Sequence, residues 1–152
     1  MNQQTKQWLL TACRWFCAAT FLYASMDKLG EAARFTQVIR EYHILPYALE
    51  PLAAVVVPWL EFFTGVSLLV GFRWRGSALV YCGLMMTYIV TLSWNMATGV
   101  EMNCGCFSLD SVEKATWWTV GRDIALLMPG LFVLWTRKAQ AALDDLLKLP
   151  EF

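Results

Sequence analysis

The sequence predicts an all-α fold, a four-helix transmembrane bundle, and composition and segment length support this prediction. Apolar residues make up 58% of the 152 residues and charged residues only 16%, against roughly 45–50% and about 25% in soluble domains. Mean hydropathy is +0.46, and four segments reach the roughly 20 apolar residues that cross a bilayer. The formal net charge is zero, so no nucleic-acid partner is expected. We expect a single integral membrane domain over residues 1–152 that contacts the lipid bilayer.

The predicted spans differ in the charges that interrupt them. They cover about residues 8–26, 51–72, 76–98 and 115–135. The first contains Arg14, the second Glu61, and the fourth both Arg122 and Asp123, whereas the third carries no charge. A cleaved signal peptide is the rival interpretation of the first span. That segment lacks an Ala-x-Ala cleavage site and Arg14 interrupts its apolar run, so we expect it to remain as a span.

The positive charges of the short loops predict the orientation, because loops rich in Lys and Arg stay in the cytoplasm. Arg73 and Arg75 lie between spans two and three without an acidic residue, and Arg137 and Lys138 follow span four. The other two loops carry mixed charge. We therefore expect a multi-pass protein of the bacterial inner membrane with both termini cytoplasmic and the loop between spans three and four on the periplasmic face.

The first loop is about 25 residues long, so we expect it to have structure of its own. Phe35, Val38, Ile39 and Tyr42 recur there at helical spacing. A short interfacial helix that ends before Pro46 fits this pattern. The segment after span four is expected to form a second amphipathic helix, on the cytoplasmic surface.

Charged side chains within the spans are candidates for pairing or for function, because ionisable groups at bilayer depth are costly. At 1.5 Å per residue, Glu61 lies roughly 15 Å and Arg122 roughly 10 Å below the outer ends of their spans. We predict an ion pair between these two residues. Asp123 projects about 100° around the helix from Arg122, so pairing between these neighbours is not expected. Arg14 is expected to extend toward the cytoplasmic headgroups.

The predicted Glu61–Arg122 pair has two interpretations. It is either a structural ion pair that fixes helix register, or the border of a polar pocket that orients a quinone head group or relays protons. In the second interpretation the cofactor-binding residues are Glu61, Arg122, Trp117 and Trp118, and the two tryptophans stack on the quinone. The alternative for the tryptophans is an aromatic belt at the membrane interface, which is the more frequent role of such residues.

Three cysteines lie within the spans, with Cys13 and Cys17 one helical turn apart and Cys82 at a similar depth in span three. Buried free cysteines are ordinarily small apolar side chains, and the alternative is an inner redox station. Glycines in the spans also predict places where helices approach closely. These are Gly65, Gly76 and Gly83.

Two further cysteines, Cys104 and Cys106, are separated by one glycine in the polar loop before span four. Thiols on the outer face of a bacterial membrane experience oxidising conditions. A disulfide across one residue closes a strained ring that Gly105 permits, and strained exposed disulfides tend to be labile and catalytic. A structural disulfide would stabilise little across so short a loop. We therefore predict a redox pair with Cys104 and Cys106 as the catalytic residues.

A metal site is the other interpretation of this pair. Structural zinc typically takes four ligands, with cysteines spaced by two to four residues. The two outer loops add only His43 and no further cysteine, so no metal is predicted. Transient Cu(I) binding by the two thiolates with Met102 nearby stays open.

Several motifs resemble those of the methylamine-utilisation MauE family, a branch of the DoxX-like four-span membrane proteins. They are Lys28 just past span one, "FTQVIREYHILP", "VVPWLEFFTGVSLLVG", "NCGCF" and "GRDIALL", within residues 26–134. The chain departs from the family pattern at Asn103 and Ser108, where an acidic residue and glycine are common. The resemblance implies a role in the maturation of periplasmic proteins beside a thioredoxin-like partner.

These observations lead to one main hypothesis and two alternatives. The main hypothesis is a membrane thiol–disulfide oxidoreductase that exchanges electrons with a periplasmic thioredoxin-like protein through Cys104 and Cys106, with a quinone as the candidate cofactor. The first alternative is a non-enzymatic membrane scaffold or assembly factor. The second is a DoxX-like subunit of a quinone-linked sulfur-compound oxidoreductase.

Overall fold

The computed structural model describes residues 3–41, 46–98 and 116–136, which form five α-helices. The helices are α1 (Gln3–Gly30), α2 (Ala32–Glu41), α3 (Glu50–Val70), α4 (Trp74–Ala97) and α5 (Trp117–Trp135). All except α2 are long and apolar enough to cross a membrane. The predicted all-α four-helix transmembrane bundle is confirmed.

The first membrane helix extends further than the sequence predicted. The predicted span ends at Met26, whereas α1 continues to Gly30 and contains Lys28 in its last turn. Phe21, Ala24 and Lys28 are all buried, and their spacing of three and four residues puts them on one helix face. The additional turn therefore brings Lys28 onto the face of α1 that packs inside the bundle.

The four membrane helices form a closed ring in which α1 and α4 each pack against both α3 and α5. The packing of α1 on α3 is antiparallel. Glu61 lies beside Lys28, near the end of α1, whereas Gly65, one turn further along α3, lies against Ala18 and Leu22. The ring therefore has up-down-up-down topology.

The connection between α3 and α4 is a tight turn. Gly71 has a φ of 79° and its N–H donates to the carbonyl of Ser67, which ends α3. Arg73 also has a positive φ, 42°, immediately before α4. At the opposite end of the bundle, α1 and α4 end and α3 and α5 begin. We call this end the α2 end, because α2 follows α1 there.

The predicted helix in the first loop is confirmed as α2, which packs on α3 and α1. Phe35 is its buried anchor. Arg40 Nε lies 2.9 Å from Glu50 Oε2, and its guanidinium lies over the Tyr47 ring. The hydrogen bond to Glu50 raises the pKa of Arg40 above its ordinary value, so Arg40 stays charged. Tyr42 and the predicted C-terminal helix lie outside the described residues.

Among the glycines that the structure describes within the helices, two make close helix contacts, and only one of these was predicted. A Cβ on Gly65 would lie 3.2 Å from the Ala18 carbonyl oxygen and 2.9 Å from Leu22 Cγ, so this prediction is confirmed. A Cβ added to Gly76 or Gly83 would have no atom of another helix within 4 Å, so these predictions are wrong. The second contact is Gly130 on α5, against the ring of Tyr81. Gly76 and Gly83 are both exposed, on the outer surface of α4.

Candidate functional site

A buried ion pair joins α1 to α3. The ammonium of Lys28 donates to both carboxylate oxygens of Glu61, with Nζ–O distances of 2.8 Å and 3.0 Å. The side chains are 2% and 1% exposed. Glu61 lies about 16 Å along α3 from Glu50 at 1.5 Å per residue. The pair therefore lies deep within the helical bundle rather than at its surface.

Two aromatic residues complete this site. The Tyr88 hydroxyl, from α4, donates to Glu61 Oε1. Lys28 Nζ lies 5.1 Å from the ring centroid of Tyr88 and 5.2 Å from that of Phe35, from α2, which is within the range of cation–π attraction. Four helices thus contribute one side chain each. We call Lys28, Phe35, Glu61 and Tyr88 the Lys28 cluster.

The Lys28 cluster carries no net formal charge and satisfies its charges internally. A lysine or glutamate alone at this depth would carry a large desolvation cost. Removing one partner of such a buried pair typically costs about 3–5 kcal/mol, although the intact pair need not stabilise the fold relative to apolar residues. The pair therefore specifies how α1 and α3 are aligned.

The predicted ion pair between Glu61 and Arg122 is wrong. Glu61 is enclosed by Lys28 and Tyr88, because the additional turn of α1 brings the lysine stem into reach. Arg122 Nε and Nη2 instead lie 3.1 Å and 3.0 Å from Asp123 Oδ1. The expectation that these neighbours do not pair is also wrong, because the long arginine arm folds back onto the next residue.

Asp123 is another buried carboxylate of the bundle, and 1% of its side chain is exposed. Oδ1 accepts both hydrogen bonds from Arg122, whereas Oδ2 is buried and accepts none in the part of the chain that the structure describes. Lys28 on α1 and Tyr81 on α4 are within electrostatic range of it. Asp123 thus lies between helices, on the Lys28 side of the core.

The four predicted cofactor-binding residues do not line a common pocket. Glu61 is enclosed, and the Arg122 side chain is 35% exposed. Trp117 and Trp118, in the first turn of α5, are 67% and 83% exposed. This position fits the aromatic-belt alternative for the tryptophans. Binding of a quinone by these residues stays a prediction.

The three cysteines of the spans lie in or beside one apolar core cluster. Cys17 and Cys82 are buried members of one apolar core cluster, and Cys13 packs against it. Tyr81 belongs to the same cluster as Cys17 and Cys82. Tyr81 also donates to the carbonyl of Leu126 at 2.9 Å. All three cysteines are free thiols in apolar packing, as expected for small apolar side chains.

Arg14 does not extend to the headgroups. Its side chain is 1% exposed and is the largest of the fully buried side chains among the described residues. It lies one turn from Leu10 and Ala18 on the inner stripe of α1, so the direction of the helix face, rather than the depth, determines where it points. The prediction of a snorkelling arginine is wrong.

The predicted catalytic residues Cys104 and Cys106 lie outside the described residues, as does His43. The helices that flank the cysteine segment are described, with α4 ending at Ala97 and α5 beginning at Trp117. Both of these helix ends lie at the α2 end of the bundle. Among the described residues, no group of three or more His, Cys, Asp or Glu side chains could hold a metal ion.

Sequence reasoning missed the pairing of Lys28 and the role of Tyr88. Both residues continue stripes of inward-facing residues with spacings of three and four. On α1 the stripe is Leu10, Arg14, Cys17, Phe21, Ala24 and Lys28. On α4 it is Ala78, Tyr81, Met85, Tyr88, Leu92 and Asn95. Extending the α1 stripe past the apolar residues would have identified Lys28 as inward-facing, whereas α4 is apolar on all sides and offers no such signal for Tyr88.

Four membrane-length helices around a buried ion pair define the chain as a multi-pass membrane protein of the four-span helical class. The family model described as "Methylamine utilisation protein MauE" matches residues 6–136, and the chain belongs to this family. No solved structure matches the chain significantly.

Two curated relatives, both called methylamine utilization protein MauE, illustrate the similarity. The protein of Methylorubrum extorquens is 29% identical over 126 residues, which cover 82% of this chain and 68% of the relative. The protein of Paracoccus denitrificans is 29% identical over 119 residues, which cover 78% of this chain and 64% of the relative. The match thus spans about two thirds of the length of these relatives.

Proposed function

We propose that the chain is a membrane thiol–disulfide redox protein that acts through Cys104 and Cys106 on a thioredoxin-like partner. The observation that supports the proposal is where the two flanking helices end. The helix α4 ends at Ala97 and α5 begins at Trp117, both at the end of the bundle where α2 covers the Lys28 cluster. A connection at the membrane edge is accessible to a water-soluble partner, as thiol–disulfide exchange requires.

The exchange conserves electrons and protons. A partner thiolate attacks one sulfur of the Cys104–Cys106 disulfide, a mixed disulfide forms, and the other cysteine leaves as a thiolate. The second partner thiol then resolves the mixed disulfide. The partner becomes oxidised, and the loop gains two electrons and two protons as a dithiol. With a reducing loop and an oxidised partner the same steps run in reverse.

A lipid-soluble quinone is the proposed electron acceptor that restores the disulfide, taking up two electrons and two protons as it becomes hydroquinone. The start of α5 is the proposed contact region. Trp117 and Trp118 are exposed there and Arg122 is partly exposed. Glu61 is enclosed by Lys28 and Tyr88, so on this geometry it supports the site from within rather than touching the quinone.

The proposed setting is a bacterial inner membrane, with the chain acting as one integral membrane domain. Arg73 and Arg75 lie at the end of the bundle opposite α2, and positive loops favour the cytoplasm. This charge distribution supports cytoplasmic termini and a periplasmic cysteine segment. The relatives are named for methylamine utilisation, and the proposed client is a periplasmic protein of that type that acquires disulfides.

Thiol trapping in cells tests the redox role. We expect Cys104→Ser and Cys106→Ser each to abolish cycling between the oxidised and reduced states, and the single remaining thiol to accumulate a mixed disulfide with the partner. Ser108→Ala, a change in the same segment that keeps both thiols, is the matched control and should cycle normally.

Unaltered client oxidation in both cysteine variants would contradict the redox role. If the chain also co-purified with partners without turnover, it would be a scaffold or assembly factor. Bound quinone without disulfide activity would instead indicate a DoxX-like oxidoreductase subunit.

A further inference from the structure

We propose that Asp123 and the Lys28 cluster form a proton-binding site inside the membrane bundle, in which the Lys28 ammonium is shared between two carboxylates and the proton binds at Asp123 Oδ2. The ligand is a proton from water, which forms the O–H bond of a carboxylic acid. The proposal rests on described side chains alone and does not depend on the chemistry of the cysteine segment.

The two oxygens of Asp123 have unequal surroundings. Oδ1 accepts two hydrogen bonds from Arg122, at 3.1 Å and 3.0 Å. Oδ2 is buried and accepts none from any described residue, and the whole side chain is 1% exposed. A buried acceptor left without a donor is costly, and more so when it carries charge. A proton on Oδ2 removes the charge and requires no cavity.

Three helices present charged or titratable groups to Asp123. On its own helix the neighbour is Arg122, on α1 it is Lys28, and on α4 it is the Tyr81 phenol. Arg122 hydrogen-bonds Oδ1 and is 35% exposed, whereas Lys28 is 2% exposed. The buried cation within range of Asp123 is therefore Lys28, and its position determines how strongly the ionised form of Asp123 is favoured.

Lys28 is already engaged by Glu61. Both Glu61 oxygens accept from Lys28 Nζ, and Tyr88 donates a further hydrogen bond to Oε1. While Lys28 is held there, Asp123 receives no hydrogen bond from it and favours the proton. If Glu61 loses its charge, the Lys28 ammonium is no longer neutralised by its partner, and its attraction on Asp123 favours the ionised form.

Isotope-edited infrared spectroscopy of the purified full chain in lipid nanodiscs tests the site. With ¹³C-labelled aspartate, we expect a protonated-carboxyl band that grows on acidification. The chain has five aspartates, so the Asp123 component is the part of the band that Asp123→Asn removes and that Asp27→Asn, the matched control one residue before Lys28, retains. A band that is unchanged in Asp123→Asn, or that is missing from the unaltered protein at every pH, would overturn the proposal.

Glu61→Gln tests whether Lys28 is shared. We expect protonation of Asp123 to require about a tenfold higher proton concentration, which corresponds to a shift of about one pH unit. An unchanged titration would overturn the sharing. If Asp123→Asn does not fold, Asp123→Glu keeps the test decisive. The Asp123 component should then move from the aspartate-labelled to the glutamate-labelled spectrum, and an aspartate-labelled band identical to that of the unaltered protein would contradict the assignment.

Discussion

Around Lys28 the helices contact one another through a buried ion pair, whereas around Tyr81 they contact one another through close apolar packing. The Lys28 cluster uses a cation, a carboxylate and two aromatic faces from α1–α4. The Tyr81 region contains thiols and apolar side chains, and Gly130 allows α5 to approach so closely that an added Cβ would lie 2.7 Å from the ring. One core thus contains two different means of fixing its geometry.

The difference between charged and apolar packing indicates which half of the core requires a functional explanation. Apolar packing at Tyr81 is what any four-helix bundle requires to exclude voids. A buried ion pair does not stabilise a bundle more than apolar residues would, and ionisable residues within membrane spans are frequently functional. The Lys28 side of the core, which lies toward the end carrying the cysteine segment, is therefore the half that calls for a functional explanation.

The largest expected effect in this comparison is that of Glu61→Ala. The substitution leaves the Lys28 ammonium buried without its carboxylate, so we expect a loss of about 3–5 kcal/mol in unfolding free energy. Denaturant titration in mixed micelles measures it. Glu31→Ala, a change at an exposed ion pair with Arg34, is the control and should cost less than about 1 kcal/mol. Equal losses of unfolding free energy in Glu61→Ala and Glu31→Ala would show that burial of the Lys28–Glu61 pair does not increase the cost of breaking it.

Gly130→Ala probes the packed half of the core. The new Cβ would lie 2.7 Å and 2.8 Å from Tyr81 ring atoms and 3.0 Å from Cys82 Sγ, so we expect destabilisation of about 1–3 kcal/mol. Gly121→Ala lies on the same helix with nothing within 4 Å of the added carbon. It should be neutral or slightly stabilising, because alanine favours helix. Similar values for both variants would contradict the close approach at Gly130.

Two tyrosine-to-phenylalanine substitutions compare the halves directly. Tyr88→Phe removes a hydrogen bond to the charged Glu61 carboxylate, and such bonds contribute about 1.5–3 kcal/mol. Tyr81→Phe removes a hydrogen bond to the neutral Leu126 carbonyl, for which about 0.5–1.5 kcal/mol is expected. Unfolding free energies measured side by side should rank Tyr88→Phe as the more damaging. The opposite ranking would refute the distinction between charge and shape.

The fold could be predicted from the sequence because span length and hydropathy are local properties. All four spans and α2 were found, and Gly65 was correctly identified as a helix contact. The predicted depth of Glu61 within its span also agrees with its buried position in α3. Each of these depends on residue type and on counting along one helix.

The pairing of side chains could not be predicted in the same way, because it depends on how each helix is rotated. Counting depth favoured Arg122 as the partner of Glu61, but α1 continues through Lys28 and presents it inward. The same rotation buries Arg14. On α4, which is apolar on all sides, composition does not distinguish the inner face, so Gly76 and Gly83 were assigned contacts that occur elsewhere.

A double-mutant cycle on Lys28→Met and Glu61→Gln tests the central claim, that one buried ion pair aligns α1 with α3. We expect each single variant to be strongly destabilised and the double variant to recover much of the loss, with a coupling energy of about 2 kcal/mol or more. Effects that add within about 0.5 kcal/mol would show that the two side chains act independently, and would contradict the claim.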